Sequence, residues 1–172
     1  MGVLVQTNFD GLLTVDGAPV GQELGRFFLK DVVGGQEHGS CIVIVATDAP
    51  MDARQLNRLA KRATLGLAAV GSPITHGSGD YVLAFSTDEG LRRKFVSNDA
   101  VETTTVLRDD RLSPLFQAVR EATEEAVVNS MLKATTTKGR DGHVVEAIDP
   151  EAVVRVCRKF GALPPDSKAL QK

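Results

Sequence analysis

Cysteine and histidine are scarce in this chain. Two cysteines among 172 residues are too few for the disulfide framework of a small secreted protein. Cys41 and Cys157 both lie in apolar runs, so we predict that they are reduced and buried in the core. The three histidines, His38, His76 and His143, lack the spacing of a metal-ligand motif such as H-x-x-x-H. The sequence therefore predicts no metal site.

Long apolar runs and a strong net charge are also missing. No stretch approaches the roughly 18 apolar residues of a membrane span. The first residues have neither the basic region nor the apolar core of a signal peptide. The formal net charge is −2, with acidic and basic residues interleaved, so no basic cluster indicates nucleic-acid binding. These absences predict a cytoplasmic protein that binds neither membranes nor nucleic acids.

Two uninterrupted apolar runs predict the central strands of a sheet. Residues 40–47 and 81–85 show no alternation of apolar and polar side chains, a pattern typical of strands buried on both faces. Other short segments with strand-like composition predict a hairpin near the start of the chain and two further strands: 3–7 with 12–15, then 101–107 and 144–148.

Capping residues mark the helix boundaries. Asp52 is a suitable N-cap for a helix with an apolar stripe, which Gly71 would end. Ser113-Pro114 and Asp149-Pro150 each place proline in the first helical turn after a capping residue, and Gly161 would end the second of these helices. Mixed strands and amphipathic helices predict a layered α/β fold with helices on both sides of the strands.

The Gly39-Ser40 dipeptide lies between a polar, glycine-rich linker at 34–39 and the first buried strand. Attack of the Ser40 hydroxyl on the Gly39 carbonyl would convert the peptide bond into an ester, which water can cleave. Glycine tolerates the strained backbone that this attack needs. The product is a serine whose α-amine, with a reference pKa of about 7.7–8.0, can act as the base for its own hydroxyl. The alternative is an ordinary turn before a strand.

A series of short motifs surrounds this dipeptide between about residues 2 and 150. Upstream lie GVLVQTNF at 2–9 and PVG at 19–21. From Ser40 onward follow SCIVIVATDAP at 40–50, RQL at 54–56, RLAKRA at 58–63, GLA at 66–68, GSGD at 77–80, AFST at 84–87, ND at 98–99, LSPLF at 112–116, ATEEA at 122–126 and GRDGH at 139–143. In this order they resemble the DmpA / β-aminopeptidase family of self-cleaving serine aminopeptidases.

The resemblance implies a four-layer αββα sandwich like that of N-terminal-nucleophile hydrolases, incomplete in this chain. It divides the chain into the end of a large-subunit-like segment with its linker at 1–39, a small-subunit-like domain at 40–161 and a flexible tail at 162–172. Family members cleave themselves before the serine and then hydrolyse N-terminal residues from peptides, amides or esters. No metal or organic cofactor is implied.

The resemblance also assigns site residues. Ser40 matches the nucleophile, Ser78 and Asp80 match a supporting hydroxyl and carboxylate, and Asn8 matches an asparagine that helps form the oxyanion hole. Ser40 should then begin a central strand, with Ser78 and Asp80 at the start of its neighbour. Without the family, Asn8 is equally a turn residue and Gly-Ser-Gly-Asp an ordinary loop. His143 lies in a turn-like motif and receives no role.

The chain departs from the family in length, because it begins near the end of the large subunit and about the first half of a precursor is absent. A polar run at 135–138 is a smaller departure. One alternative is therefore a truncated, non-catalytic assembly or binding domain. Another is an acyltransferase like the ornithine acetyltransferases, which have a threonine where this chain has Ser40. An incomplete fold exposes apolar surface and predicts a homo-oligomer or a partner segment.

Overall fold

The computed structural model of the chain describes residues 1–27, 39–93, 95 and 100–164. Residues 34–38 of the predicted linker, the motif at 98–99 and residues 165–172 of the predicted tail lie outside this part. In chain order the strands and helices are β1 (Gly2–Phe9), α1 (Val20–Glu23), β2 (Gly39–Thr47), α2 (Ala53–Ala69), β3 (Ser78–Ser86), α3 (Ser113–Leu132), β4 (Thr137–Lys138), β5 (Val144–Val145) and α4 (Pro150–Lys159).

A three-stranded sheet with β2 at its centre forms the frame of the described chain. β2 pairs antiparallel with β1 on one side and parallel with β3 on the other. The strands predicted at 40–47 and 81–85 are confirmed as β2 and β3, and β3 begins earlier than predicted, at Ser78. β1 comes from the segment upstream of the Gly39-Ser40 dipeptide, so residues on both sides of that dipeptide build one sheet.

Helices α2 and α3 pack together over one face of the sheet. Alternate side chains of β2 point into this layer because strand residues project to opposite faces in turn. The buried apolar residues shared by these elements include Cys41, Val43, Val45, Leu59, Ala63, Leu67, Val119 and Val127. Burial of a side chain such as Leu59, which has no exposed surface, contributes about 2–3 kcal/mol.

The opposite face of the sheet is apolar and open among the described residues. Leu4 is 70% exposed, Tyr81 69% and Leu83 61%. The prediction that these strands are buried on both faces, with helices on both sides, is therefore wrong for the described part of the chain. Both long helices pack on the same side, because the apolar stripes of α2 and α3 contact each other as well as the sheet.

The predicted start and end of α2 are confirmed. A carboxylate oxygen of Asp52 accepts a hydrogen bond from the Gln55 N–H at 2.7 Å, and the Gln55 amide oxygen accepts one from the Asp52 N–H at 3.2 Å. This reciprocal capping satisfies donors that the first helical turn leaves unpaired. Gly71 follows the helix end with φ +93°, a conformation that favours glycine.

Two predicted strands do not form. The N–H groups of Leu12 and Thr14 donate to carbonyl oxygens at the end of α2, at 2.9 and 3.1 Å. This segment therefore binds the helix end, and β1 pairs with β2 instead of forming a hairpin with it. Residues 101–107 have no strand partner, and their last residue, Leu107, donates its N–H to the Pro50 carbonyl at 2.8 Å.

Helices α3 and α4 begin at the predicted proline positions. Pro114 lies in the first turn of α3, but Leu112 occupies the N-cap without a side-chain hydrogen bond, so the predicted capping role of Ser113 is wrong. The Asp149 carboxylate accepts a hydrogen bond from the Glu151 N–H at 2.9 Å and caps α4 as predicted. Capping of this kind stabilises a helix by about 1 kcal/mol.

The remaining elements form two small groups. α1 and α4 form a second apolar cluster around Val20, Val153, Val156 and Cys157. β4 and β5 form a short antiparallel ribbon, so the strand predicted at 144–148 is limited to β5. None of the helices that the structure describes combines the length and the hydropathy needed to cross a bilayer.

Candidate active site

Ser40 is the second residue of β2, at one end of the central strand. Its partners across the sheet are Asn8 on β1 and Gly79 on β3. Because residues directly opposite each other share a face, the Ser40 and Asn8 side chains both lie on the open face. The Ser40 hydroxyl donates a hydrogen bond to the Gly39 carbonyl oxygen at 2.6 Å. The hydroxyl thus lies against the peptide group that it would attack in a self-cleavage reaction.

Gly39 is placed where a side chain would collide with β1. A Cβ atom built on Gly39 would lie 3.2 Å from both Cα and Cβ of Phe9. These distances are shorter than ordinary van der Waals contact, so a larger residue would push β1 and β2 apart. Glycine therefore allows the Gly39-Ser40 peptide to enter the sheet directly beside β1.

Ser78 and Asp80 lie at the start of β3, at the same end of the sheet as Ser40. In the sheet, Gly39 is opposite Ser78 and Cys41 is opposite Asp80. Since Cys41 points into the helix layer, Asp80 lies on that same face, and strand alternation places Ser78 there too. The structure therefore brings all the predicted residues to one end of the sheet but divides them between its two faces.

The Asp80 carboxylate is an unusual group in the helix layer. Both of its oxygen atoms are buried, and neither has a hydrogen-bond partner among the described residues. Burying a carboxylate without a hydrogen-bond partner costs free energy, and buried polar groups in proteins normally have such a partner. Asp80 is therefore placed to receive a cation or a hydrogen-bond donor at this end of the sheet.

Cys41 is opposite Asp80 in the sheet, and its thiol is affected by the charge of that carboxylate. Burial, and to a smaller extent the negative charge of Asp80, raises the pKa of the Cys41 thiol from 9.0 to about 11. The thiol is therefore protonated at neutral pH and is a poor nucleophile. The Ser40 side chain, in contrast, is exposed at this end of the sheet. Both cysteines are free and buried, which confirms the sequence-based prediction.

Two further contacts near the site were not predicted from the sequence. The Thr7 and Ser130 hydroxyl groups share a hydrogen bond of 2.9 Å, which joins β1 to α3 in the same layer as Cys41. Gly79 is next to the Ser40 hydroxyl, because a Cβ atom built on it would lie 3.4 Å from Ser40 Oγ. Only the strand register reveals Gly79, whereas the sequence pattern indicates no more than a loop there.

Metal-binding side chains do not gather at this end of the sheet. Within the described ranges, no group of three or more histidine, cysteine, aspartate or glutamate side chains is placed to hold an ion. The chemistry available from the described side chains is that of a hydroxyl, an amide, a carboxylate and the backbone.

Comparison with known proteins gives a consistent set of relatives. The sequence matches the family described as peptidase family S58 over residues 1–145. It is 39% identical over 177 aligned residues to the beta-peptidyl aminopeptidase BapA of Sphingosinicella microcystinivorans, covering 95% of this chain and 44% of that protein.

Solved structures agree with the sequence match. The PH0078 protein of Pyrococcus horikoshii OT3 superposes with a TM-score of 0.79 at 45% identity, over 92% of this chain and 42% of that one. The L-aminopeptidase D-Ala-esterase/amidase of Ochrobactrum anthropi superposes with a TM-score of 0.76 at 30% identity, over 95% of this chain and 48% of that one. The latter is described as a prototype for the serine aminopeptidases and as a variant of the Ntn hydrolase fold.

These comparisons confirm the predicted fold class, because the described sheet and helices superpose on part of an Ntn hydrolase fold. The chain spans less than half the length of each of these three proteins. Its open sheet face is consistent with an incomplete version of that fold.

Proposed function

This chain belongs to peptidase family S58, and on that premise we propose that it is the nucleophile-bearing portion of a self-processing serine aminopeptidase. The observation that carries the proposal is the hydrogen bond of 2.6 Å from the Ser40 hydroxyl to the Gly39 carbonyl oxygen. It supports the proposal because the hydroxyl that would attack lies beside the peptide bond at which cleavage would release Ser40 as a new N-terminus. The rigid central strand β2 holds this serine in place.

The proposed cleavage begins with attack of Ser40 Oγ on the Gly39 carbonyl carbon. An ester bond to Oγ forms, the bond from the carbonyl carbon to the Ser40 nitrogen breaks, and the hydroxyl proton passes to that nitrogen. Water then hydrolyses the ester, which leaves a carboxylate on Gly39 and an α-amine on Ser40. Asn8 lies on the same face as Ser40, from where its side-chain amide is proposed to stabilise the oxyanion.

The released amine is proposed to become the base for the Ser40 hydroxyl during turnover. An α-amine has a reference pKa of about 7.7–8.0, so it is partly unprotonated near neutral pH. Ser78 and Asp80 lie across the sheet backbone from Oγ, on the face toward which the new amine can turn. The buried Asp80 oxygens lack a partner among the described residues, and an ammonium group would supply one.

Substrates of the complete protein are proposed to be peptides, amides or esters with a free N-terminal residue. The names of the relatives support this, since one is a beta-peptidyl aminopeptidase and another an L-aminopeptidase D-Ala-esterase/amidase. Two buried, reduced cysteines fit the proposed location in the cytoplasm.

A non-catalytic assembly domain is the second candidate, and the open sheet face favours it. Leu4, Ile42, Tyr81, Leu83 and Phe85 expose apolar surface there. Surface of this kind promotes association. We propose that another copy of the chain or a partner segment covers this face, because the chain spans less than half of its relatives.

Intact-mass analysis of the purified chain tests the proposed cleavage. The wild-type chain should yield two fragments, of which one begins at Ser40. The variant Ser40→Ala should stay intact, because it lacks the attacking oxygen. Asp80→Asn should slow cleavage or the later turnover, because the uncharged amide pairs less strongly with an ammonium group.

A matched control is Ser113→Ala, which removes an exposed serine hydroxyl far along the chain and should leave cleavage unchanged. Cleavage that persists in Ser40→Ala would refute Ser40 as the nucleophile. A wild-type chain that remains whole would favour the non-catalytic assembly domain instead.

A further inference from the structure

A pair of hydroxyl groups joins strand β1 to helix α3 beside the candidate site. Thr7 Oγ1 and Ser130 Oγ are 2.9 Å apart, and Ser130 Oγ also donates a hydrogen bond to the Val127 carbonyl oxygen at 2.7 Å. A serine hydroxyl has one proton, and the bond to Val127 uses it. Thr7 is therefore the donor to Ser130, and the two bonds form a chain that runs from β1 into α3.

Thr7 differs from the other β1 residues that face the helix layer. Val3, Val5 and Phe9 pack against the apolar core, whereas Thr7 makes a hydrogen bond. The hydrophobic effect is non-directional, but a hydrogen bond weakens steeply as its distance and angle change. In the described part of the chain, β1 lies at the edge of the sheet and pairs with β2 alone. The bond from Thr7 to Ser130 thus fixes the end of an edge strand to the helix layer.

Asn8 follows Thr7 in the chain and lies opposite Ser40 across the sheet. The Asn8 and Ser40 side chains share the open face, while the Thr7 side chain points into the helix layer. A shift of Thr7 also moves Asn8, because one planar peptide unit links their Cα atoms. An oxyanion donor must lie within hydrogen-bond distance of the oxygen that it stabilises, so a displacement of about 1 Å is enough to weaken it.

We propose that Thr7, held by Ser130, is a positioning residue for self-cleavage, which sets the distance from the Asn8 amide to the Gly39 carbonyl oxygen. The inference rests on the proposed function, in which Ser40 attacks this carbonyl and Asn8 stabilises the oxyanion. Thr7 takes no part in the chemistry, since its hydroxyl lies on the helix side of the sheet and binds Ser130. Self-cleavage is internal to the chain, so this arrangement works whether or not another copy or a partner segment covers the open face.

The rate of self-cleavage in single and double variants tests this role. The full chain is made by cell-free synthesis, and the fraction cleaved before Ser40 is followed over time by intact mass. Thr7→Val keeps the shape of the side chain but removes the hydroxyl, and should slow cleavage by about tenfold. Ser130→Ala should slow it to a similar extent. The variant with both changes should be no slower than either single variant, because each change removes the same hydrogen bond.

Asn8→Ala provides the background that separates positioning from a general loss of stability. Removal of an oxyanion donor should by itself slow cleavage by about 100-fold to 1000-fold. In that background, Thr7→Val should slow cleavage further by less than about twofold, because no amide is left to position. Thr7→Ser in the wild-type background should retain the rate, since it keeps the donor hydroxyl.

Thr123→Val is the matched control for the loss of a hydroxyl. Thr123 lies on α3 about two turns before Ser130, and its buried hydroxyl donates to the Val119 carbonyl oxygen at 2.7 Å. Its replacement should lower the free energy of unfolding without slowing cleavage, because this bond lies within α3 and does not reach β1. All variants are compared well below their melting temperatures.

Nuclear magnetic resonance measures the same positioning without any cleavage. In the variant Ser40→Ala, which cannot cleave itself, Thr7→Val should shift the signals of the Asn8 side-chain amide. It should also speed hydrogen exchange of the backbone amides at the end of β1 by about threefold to tenfold, the effect of losing one hydrogen bond. Thr123→Val should leave the Asn8 signals unchanged.

The outcomes separate the positioning role from the proposed function. Cleavage that Thr7→Val leaves at the wild-type rate, or slows equally with and without Asn8, would overturn the positioning role and leave Ser40 as the nucleophile. A wild-type chain that stays whole contradicts the proposed cleavage, and the resonance measurement then decides whether Thr7 places Asn8. Asn8 signals that do not respond to Thr7→Val would overturn that placement as well.

Discussion

Gly66 lies inside α2 at the point where this helix contacts α3, and its replacement by alanine is a sharp test of the packing. A Cβ atom built on Gly66 would lie 2.6 Å from the Arg120 carbonyl oxygen and 2.7 Å from Thr123 Cβ. Both atoms belong to α3, and one of them is backbone. The two helices would therefore have to separate by about 0.8 Å to reach an ordinary contact of 3.4 Å.

Two effects of the Gly66→Ala change oppose each other. In a free helix, alanine is more favourable than glycine by about 1 kcal/mol. Overpacking of a close-packed interior costs about 1–3 kcal/mol, and we take the upper end because the collision is with backbone. The net expectation is a loss of about 2 kcal/mol in the free energy of unfolding, which corresponds to a melting temperature lower by about 4–8 °C.

Urea denaturation followed by far-ultraviolet circular dichroism measures this change. Circular dichroism of the helices is a better probe of unfolding than fluorescence here, because the chain has no tryptophan and its single tyrosine is exposed. Ala68→Gly is the matched control, since Ala68 is exposed on α2 and its replacement measures the propensity difference alone. A Gly66→Ala chain at least as stable as the wild type would refute the close contact between α2 and α3.

Two further predictions concern the thiol and the open face. The pKa of Cys41 is raised from 9.0 to about 11, so its contribution to stability is complete below about pH 9 and is lost as the pH rises through about 11. Between about pH 9 and pH 11, the free energy of unfolding should therefore fall less steeply with pH in Cys41→Ala than in the wild type. Urea titrations at several pH values measure this dependence, and an equal dependence on pH in the two proteins would contradict the raised pKa. The chain should self-associate at micromolar concentration in analytical ultracentrifugation, and Leu83→Asp should weaken that association because it places a charge on the open face. Leu65→Asp changes an exposed leucine of α2 and should have no such effect, and a monomeric wild-type chain would count against the proposed assembly.

Local signals in the sequence determined several elements of the fold. The run at 40–47 predicts β2 because consecutive β-branched residues favour an extended strand. Asp52 predicts the start of α2, since its carboxylate can reach the N–H of the residue three positions on. Ser40 was likewise expected at the beginning of a strand, next to a glycine, from neighbouring residues alone.

Segments whose structure depends on distant partners were not determined in this way. Residues 101–107 have the composition of a strand, but in the described chain they pair with no strand, and Leu107 donates its N–H to the Pro50 carbonyl oxygen instead. Leu12 and Thr14 likewise depend on a distant partner, because their N–H groups donate to the Gly71 and Val70 carbonyl oxygens just after α2. Composition indicates which secondary structure a segment can adopt, whereas its hydrogen-bonding partner in the fold determines which one forms.

The sequence by itself determined which residues gather at the Ser40 end of the sheet, because each of them lies at a strand terminus. Only the tertiary structure decided which face each side chain occupies. Ser40 is opposite Gly79 and not Asp80, and this register puts Asp80 in the helix layer and Ser40 on the open face. A shift of one residue between β2 and β3 would exchange those faces, because side chains alternate with a period of two. No local pattern fixes that register, since it is set by the packing of α2 and α3 against alternate residues of both strands.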